Sequence, residues 1–363
     1  AGFPGLLLWL HAWAIVGLQI AERVLHAGQD VLPIYWTRTG EWVLCPAKLE
    51  AKDYLDGAPK AGTKLSLDLR TGFGVKKGFG GPKPLELSAA LNCCHGGPGE
   101  NGGLNAVFEL LGIPLTGGPA PLAALGMDKL AFGAVLQSAG IPSLPRVALT
   151  STPPRFAGPY IVKPRFGGSS IGIEIVEDFE TAAALGRSQL QLRGGAVLEP
   201  YSKGAVDLNM AFRTHPSLQN SLLEKPLAPT VGEGIYSYAQ KYLQADGLVA
   251  APRELPAQVP DSVTAEAERL TAAVVEVTGL RGLARLDFLL VDDVLYVNEV
   301  NTIPGSMSLY LWPSTVPAAE LLLGAIEQAR ASQGRYDAGS SFEPGVALRA
   351  AGGIAGKLGA IGR

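Results

Sequence analysis

The chain has 363 residues, of which 47% are hydrophobic and 17% charged, so it is neither a disordered chain nor a coiled coil. The net charge of −3 gives no basic excess, and we therefore expect neither nucleic acid nor a membrane surface as a partner. The length predicts roughly two or three domains. The only cysteines, Cys45, Cys93 and Cys94, are too few for a disulfide framework and predict a reducing, cytoplasmic location.

The first residues form an apolar run, 3–20, that is long enough to resemble a membrane span. Pro4 and His11 interrupt this run, and no basic residue precedes it, as one would in a signal peptide. We therefore favour a buried strand over residues 6–10 that leads into a first helix over residues 17–27.

Strand and helix signals then alternate along the chain, which predicts an α/β or α+β fold. The glycine-rich residues 56–84 are typical of a loop or an irregular hairpin, and residues 333–363 of a loose tail. Strands are predicted at 31–35, 41–44, 85–94, from 113, and at 160–164, 171–176, 196–199, 208–214 and 221–225, with a hairpin over 282–301. Helices are predicted at 105–111, 126–139, 179–192, 263–277 and 318–331.

Oxygen donors are concentrated on the last predicted hairpin. Asp287, Glu299 and Asn301 offer the carboxylate and amide oxygens that suit Mg²⁺. A regular two-residue turn at 292–293 would pair Asp287 with Asn298 and turn Glu299 to the other face. A metal site therefore requires a bulge or an odd-length connection, and the alternative is a solvated face of an edge hairpin.

Three lysines stand beside glycine-rich or helix-starting segments. Lys163 ends a strand just before the Gly/Ser loop 166–172, whose backbone N–H groups could approach a phosphate. Lys129 begins a helix, and Lys241 follows a Gly/Tyr-rich segment, 232–239, that is typical of a mobile lid. Each lysine alone is also compatible with an ordinary surface position.

His95 opens a glycine-dense segment, 95–103, between a predicted strand and a helix. Ligands of open α/β sheets lie at this edge, and the first amides of the helix face the same crevice. The alternative is a structural turn that His95 caps. A zinc site at Cys93, Cys94 and His95 is disfavoured because a second Cys-x-x-Cys pair is missing.

Taken in order, seven stretches resemble the D-alanine–D-alanine ligases of the ATP-grasp superfamily. Each is modest alone, but their order is specific, and the similarity covers about residues 91–313, with a weaker match over 18–43. They are HGGPGENG at 95–102, LGIPLTG at 111–117, MDK at 127–129, IVKP at 161–164 with GSSIG at 168–172, QKY at 240–242, ARLDF at 284–288 and NEVNTIPG at 298–305.

The resemblance implies an ATP-grasp fold in which two β-rich lobes hold ATP. The implied divisions are an N-terminal α/β subdomain, 1–124, a central lobe, 125–206, a C-terminal lobe, 207–332, and the tail. It also implies an ADP-forming ligase that makes a peptide bond through an acyl phosphate, in cytoplasmic peptidoglycan synthesis. ATP, two Mg²⁺ or Mn²⁺ ions and small amino-acid substrates are expected, and so is a homodimer.

By position, the resemblance also implies the roles of individual residues. The phosphate-binding lysines are Lys129, Lys163 and Lys241, with Ser169 and Ser170 in the phosphate-binding loop, Glu199 as the adenine contact and Asp207 as the ribose contact. The metal ligands are Asp287, Glu299 and Asn301. The catalytic set is Arg285 and the amide of Gly305, which stabilise the oxyanion, with Ser169 and Tyr242 on the substrate side and His95.

The amino-acid pocket departs from the family pattern. Ala12 stands where a Glu holds the ammonium of the first D-alanine, and Tyr310 where a Ser binds the carboxylate of the second. Asn101 and Gly167 replace an Asp and a Glu. Besides D-alanine ligation, two hypotheses stay open: a ligase for other amino acids or for a non-amino-acid carboxylate, and a catalytically silent ATP-binding module.

Overall fold

The computed structural model of the protein describes residues 4–10, 14–54, 56–75, 80–168, 171–227, 252–313 and 315–332. The apolar N-terminal run forms a strand, β1 (Pro4–Leu10), followed by a helix, α1 (Ala14–His26), so the predicted strand and helix are confirmed with slightly shifted bounds. Within the described ranges, every helix is too short or too polar to cross a lipid bilayer.

The N-terminal region forms a seven-stranded sheet. Its further strands are β2 (Asp30–Trp36), β3 (Trp42–Leu44), β4 (Thr63–Asp68), β5 (Gly72–Val75), β6 (Lys83–Pro84) and β7 (Ala90–Asn92), and helix α2 (Gly103–Leu111) follows them. The order is β6-β5-β4-β3-β2-β1-β7, with β1 parallel to β2 and β7 and the remaining pairs antiparallel. Carboxyl ends of the parallel strands therefore meet at one edge, where the 95–103 segment begins.

Two strands predicted in this region extend beyond what the structure contains. The strand expected over 85–94 is only β7, and the strand expected from residue 113 is a single bridge between Ala90 and Leu115. The irregular-hairpin interpretation of 56–84 is confirmed by the pairing of β4 with β5.

The helix predicted over 126–139 corresponds to α4 (Lys129–Ser138), and its first two residues end a separate helix, α3 (Ala120–Met127), that was not predicted. Asp128 separates them, because its backbone is extended, with φ −86° and ψ 96°. Its carboxylate accepts hydrogen bonds from the N–H groups of Leu130 and Ala131, so Asp128 is the N-cap of α4. Lys129 consequently stands at the first position of a capped helix.

The central region is a four-stranded antiparallel sheet. It consists of β8 (Val147–Ala148), β9 (Tyr160–Pro164), β10 (Glu174–Val176) and β11 (Ala196–Pro200), with helix α5 (Phe179–Ser188). The order is β10-β9-β11-β8. The strand predicted from 171 starts only at Glu174, because Gly172 has a φ of +72° that a strand does not adopt. The helix predicted to 192 ends at Ser188, since Gln189 is extended, and a 3₁₀ turn follows.

The C-terminal region contains a second four-stranded antiparallel sheet, of order β13-β12-β16-β17, and a two-stranded ribbon of β14 and β15. The strands are β12 (Val206–Arg213), β13 (Gln219–Asn220), β14 (Lys225–Pro226), β15 (Arg253–Glu254), β16 (Leu283–Val291) and β17 (Val294–Asn301); the helices are α6 (Asp261–Thr278) and α7 (Ala318–Ser332). Of the strand predicted at 221–225, only Lys225 lies in a strand, β14, and Glu224 makes an isolated bridge to Asn209.

Separate apolar cores lie under these sheets. The core of the C-terminal sheet joins α4 and α6 to β12, β16 and β17, while α1 shares a core with α7. The predicted boundary at 124/125 falls inside α3, and the one at 206/207 at the start of β12. The division into domains stays a prediction.

Candidate functional site

A cavity of about 480 Å³ opens between the central and C-terminal sheets. Strands β9 and β11 line it on one side, and β12, β16 and β17 on the other. All ten predicted site residues that the structure describes line this cavity: His95, Lys129, Lys163, Glu199, Asp207, Arg285, Asp287, Glu299, Asn301 and Gly305. The other four, Ser169, Ser170, Lys241 and Tyr242, lie outside the described residues.

The hairpin of β16 and β17 has the bulge that the metal hypothesis requires. Its two-residue turn is Asp292–Asp293, with φ values of 47° and 63°, which asparagine and aspartate tolerate better than most residues. The register shifts between Asp287 and Phe288, so Asp287 pairs with Glu299 rather than Asn298. The prediction of a bulged connection is confirmed, and alternation places Glu299 and Asn301 on the face of Asp287.

The predicted metal ligands are held by basic and amide partners. Arg285 binds Asp287 through two hydrogen bonds, of 2.6 Å from Nε and 2.9 Å from Nη2, and Asn301 Nδ2 donates to the same carboxylate. Lys129 Nζ lies 3.3 Å from a Glu299 oxygen. Two carboxylates and one amide on one face match the oxygen preference of Mg²⁺. The described residues contain no cluster of three or more His, Cys, Asp or Glu side chains suited to a metal.

The Asp287 carboxylate also shifts the pKa of Arg285. Burial by itself lowers the pKa of the Arg285 guanidinium, but the neighbouring carboxylate of Asp287 outweighs burial and raises this pKa further above its usual value. Arg285 therefore stays charged at neutral pH, as its predicted role at an oxyanion requires.

Glu199 is fully buried at the other side of the cavity, at the end of β11. Its carboxylate accepts a 2.8 Å hydrogen bond from Lys163 Nζ and a second one from Arg146 Nε. Burial alone would raise the pKa of Glu199, but the charges of Lys163 and Arg146 outweigh it and hold the pKa below its usual range. Glu199 is therefore an ionised anchor for two cations as well as the predicted adenine contact.

Arg146 was missed in the sequence analysis. Its guanidinium also donates to the carbonyls of Lys129 (2.8 Å) and Asn298 (2.9 Å), so it joins α4, the central sheet and the bulge of β17. Its partners are 17, 53 and 152 residues away in sequence, so no local pattern indicates them. The one available signal is a charged residue between the apolar residues that precede β8.

Lys129 is fixed by its own helix terminus. The side chain of Asp128 caps α4 and binds Arg165 through two hydrogen bonds, of 2.8 and 2.6 Å. The backbone N–H of Lys129 donates to the carbonyl of Arg165, and Lys129 Nζ donates to the carbonyl of Gly167, at the edge of the glycine loop. The lysine is thereby held between the glycine loop and Glu299, one of the predicted metal ligands.

The 95–103 segment binds the loop that ends at Gly305. His95 Nδ1 donates to the carbonyl of Ile303 at 2.6 Å and lies 3.2 Å from Glu100, whose carboxylate also accepts from the N–H of Gly96. Gly117 packs against the same loop, since a Cβ there would lie 2.5 Å from Ile303. The N-terminal sheet thus positions the chain two residues before the predicted oxyanion amide.

A second group of charges surrounds Tyr310, next to Arg285. Arg285 Nη1 lies 3.5 Å from the phenol oxygen of Tyr310, and the Arg253 guanidinium lies over its ring, 4.4 Å from the centroid. Arg253 forms an ion pair of 3.0 Å with Glu224, which also accepts from Asn209 Nδ2. Burial raises the pKa of the Tyr310 phenol, although Arg285 opposes this. Glu224, Arg253 and Asn209 were not predicted.

Comparison with known proteins places these features in a family. The family model described as D-ala D-ala ligase C-terminus matches residues 122–322. A D-alanine–D-alanine ligase of Corynebacterium aurimucosum is 32% identical over 331 residues, which are 86% of this chain and 91% of that protein. The enzyme of the same name from Mycolicibacterium smegmatis is 32% identical, over 78% of this chain and 81% of that protein.

Solved structures show the same fold. D-alanyl-alanine synthetase A from Vibrio cholerae superposes with a TM-score of 0.73 at 22% identity, over 91% of this chain and all of that one. The VanG D-Ala:D-Ser ligase from Enterococcus faecalis has a TM-score of 0.73 at 20% identity, over 90% of this chain and 99% of that one. The α/β arrangement is therefore the expected ATP-grasp fold. By the family match and the curated relatives, the chain belongs to the D-alanine–D-alanine ligase family and is an ATP-dependent ligase that forms a peptide bond.

Proposed function

We propose that this chain joins two D-alanine molecules into D-alanyl-D-alanine, with ATP and Mg²⁺. The observation that carries the proposal is that all ten described candidate residues line one cavity, with basic groups and carboxylates on facing sheets. A silent ATP-binding module would need a damaged phosphate or metal face, and the described parts of both faces carry their expected residues.

The nucleotide would lie between the central and C-terminal sheets. Lys129 and Lys163 would bind its phosphates, Glu199 the adenine and Asp207 the ribose, with Ser169, Ser170 and Lys241 completing the set. Both lysines are buried and enter the cavity already oriented by Gly167 and Glu199, so little side-chain entropy is lost when a phosphate binds.

Asp287, Glu299 and Asn301 would hold two Mg²⁺ ions, for which Mn²⁺ can substitute. When bound, these ions neutralise charge on the phosphoryl group that moves from ATP to a substrate carboxylate. The Asn301 side chain turns its Nδ2 towards Asp287, so its amide must rotate to present the oxygen. Arg285, held by Asp287, stays aimed into the cavity.

The substrate carboxylate would attack the γ-phosphorus of ATP, so that ADP leaves and an acyl phosphate forms. The amine of the second amino acid then attacks the acyl carbon, and phosphate leaves. Arg285 and the Gly305 amide would stabilise the tetrahedral oxyanion, a contact worth about 3 kcal/mol per donor in other enzymes. Closure of residues 232–242, which lie outside the described ranges, is still predicted to keep water off the acyl phosphate. Tyr242 and His95 stay predicted members of the catalytic set.

The test is phosphate release from MgATP with D-alanine, L-alanine, D-serine and mixed pairs, with product masses measured in parallel. We expect phosphate and dipeptide in equal amounts with D-alanine alone. Turnover of a different pair would keep the ligase and reassign its substrates, whereas ATP binding without any amino-acid-dependent phosphate release would contradict catalysis. D-serine is included because one structural neighbour is named a D-Ala:D-Ser ligase.

A homodimer and a cytoplasmic role in peptidoglycan synthesis belong to the same proposal. The family resemblance supports both, and the three free, buried thiols are in keeping with a reducing compartment. Sedimentation at several protein concentrations tests the dimer.

A further inference from the structure

The cavity has a second charged end that the proposed mechanism does not use. It consists of Arg253 on β15, Glu224 beside β14, and Tyr310 after Gly305. The side chains of Arg253 and Glu224 are only 13% and 5% exposed. Their 3.0 Å ion pair is further fixed by Asn209, which donates to the second Glu224 oxygen at 3.0 Å. This group is therefore oriented before any substrate arrives.

The group of Arg253, Glu224 and Tyr310 lies next to Arg285, the residue proposed to stabilise the oxyanion. The Tyr310 ring has Arg253 over its face, at 4.4 Å, while its phenol oxygen faces Arg285, at 3.5 Å. Lys163, Glu199 and Arg146 lie on the central-sheet side, where the phosphates are expected. A molecule that approaches Arg285 from the side of Tyr310 would therefore meet the Arg253 guanidinium.

The chemistry of the reaction requires a cation there. An amino acid that attacks through its amine brings an ionised carboxylate into the cavity, and next to the buried side chains of Arg253 and Glu224 this charge must be paired. Arg285 is engaged by Asp287 in a two-bond pair and is needed at the oxyanion. A guanidinium has five N–H donors in a planar fork, so one arginine can bridge two carboxylates.

We propose that Arg253, oriented by Glu224 and by the face of Tyr310, binds the carboxylate of the amine substrate. This inference rests on the proposed ligase function and extends it to the recognition of the second amino acid. It predicts that the enzyme selects α-amino acids with a free carboxylate as the attacking partner. Neutral derivatives of the same amino acid should be poor acceptors.

The test is a competition between two acceptors, D-alanine, which carries a charged carboxylate, and D-alaninamide, which does not. D-alanine at fixed concentration serves as the donor and as one of the acceptors, so the ratio of the two products gives the ratio of the two kcat/KM values. The two products have different masses and are quantified together. For the wild type we expect kcat/KM to be about tenfold or more higher with D-alanine than with the amide. In Arg253→Gln, kcat/KM with D-alanine should fall about tenfold or more, whereas kcat/KM with D-alaninamide should fall by less than about threefold. The preference for D-alanine over the amide is then lost.

Turnover of the amide by Arg253→Gln also proves that the variant is folded. Arg269→Gln, which removes an arginine from an exposed pair with Glu266 on α6, is the matched control and should keep the preference. Glu224→Gln should weaken the preference partly, because Arg253 loses its orienting charge. An equal loss with both acceptors in Arg253→Gln would overturn the inference and assign Arg253 a structural role.

The two proposals fail in different ways. If the wild type joins another amino-acid pair instead of D-alanine, the substrate proposal is wrong, and the same free-versus-amidated comparison on that pair still decides the role of Arg253. If the wild type prefers the amide or does not discriminate, the carboxylate subsite is wrong while the ligase function stands. A wild type that joins no pair at all overturns both.

Discussion

Among the charged residues that the structure describes, Glu199 is the most deeply buried. Its carboxylate is fully buried, and it is tolerated only because Lys163 and Arg146 surround it. Removal of one member from such a group leaves the remaining charges buried without compensation. The central-sheet side of the cavity thus depends on three side chains that stabilise one another.

We therefore expect Glu199→Gln to lower the free energy of unfolding by about 3 kcal/mol, measured by urea denaturation at pH 7. The control is Glu276→Gln on the exposed face of α6, which should change the free energy of unfolding by less than about 0.5 kcal/mol. A loss as small as the control's would mean that the ion group contributes nothing to stability.

The same variant has a defined pH dependence. Because the pKa of Glu199 is lowered on folding, its ionised form contributes stability above the unfolded value of 4.5, and this contribution is lost as the pH falls through the folded pKa. The difference in the free energy of unfolding between wild type and Glu199→Gln should therefore be constant at neutral pH and become smaller below about pH 4.5. Urea titrations across this range measure it, and a constant difference would contradict the lowered pKa.

At the level of secondary-structure elements, the hairpin of β16 and β17 shows what alternation can predict. Arg285 and Asp287 on one strand, and Glu299 and Asn301 on the other, can share a face only if one residue is bulged out. The spacing of these four polar residues along the two strands therefore predicted the β-bulge. The bulge residue Asn298 then contacts Lys163 and Arg146, which no spacing rule indicates.

The break between α3 and α4 at Asp128 shows where apolar periodicity alone is insufficient to predict a helix boundary. The apolar pattern continues through 126–139, so periodicity predicts one helix, whereas the side chain of Asp128 favours a new N-terminus. Its pair with Arg165, from 37 residues away, adds a tertiary reason that the sequence does not display. Arg146 and the Glu224–Arg253 pair were missed for the same reason, since their partners meet only after folding.

We expect Asp128→Ala to lower stability by about 1–2 kcal/mol, because α4 loses its N-cap and the pair with the partly exposed Arg165 adds little. The KM for ATP should rise as well, since Lys129 is the first residue of that helix. Asp128→Asn is the matched control, because asparagine caps helices equally well and should retain most of the stability. Equal losses in both variants would show that the charge on Arg165, rather than the cap, positions the helix.

At the scale of the whole molecule, the cavity joins three regions of the chain. His95 comes from the N-terminal region, Lys163 and Glu199 from the central sheet, and Asp287 from the C-terminal sheet. A ligand that touches all of them stabilises the folded protein through every region at once. Binding to the native state alone adds about 2.7 kcal/mol at a hundredfold excess over Kd.

We therefore expect MgATP to raise the Tm by a few degrees and ATP with a chelator to raise it less, as measured by differential scanning calorimetry. In Asp287→Asn, the difference between the two conditions should disappear, because a predicted metal ligand is lost. Asp56→Asn, an exposed substitution in the N-terminal region, is the control and should keep the difference. A Mg²⁺ effect that survives in Asp287→Asn would place the metal elsewhere.

The contact of His95 with the carbonyl of Ile303 limits which chimeras of two related proteins can be active. The two residues are 208 positions apart, yet together they hold the segment that carries Gly305. A crossover anywhere between them would combine the loop of His95 from one parent with the loop that carries Gly305 from another. Chimeras of this family should therefore retain activity only when the two loops come from parents with matching backbone paths there, even if each half folds and the nucleotide still binds.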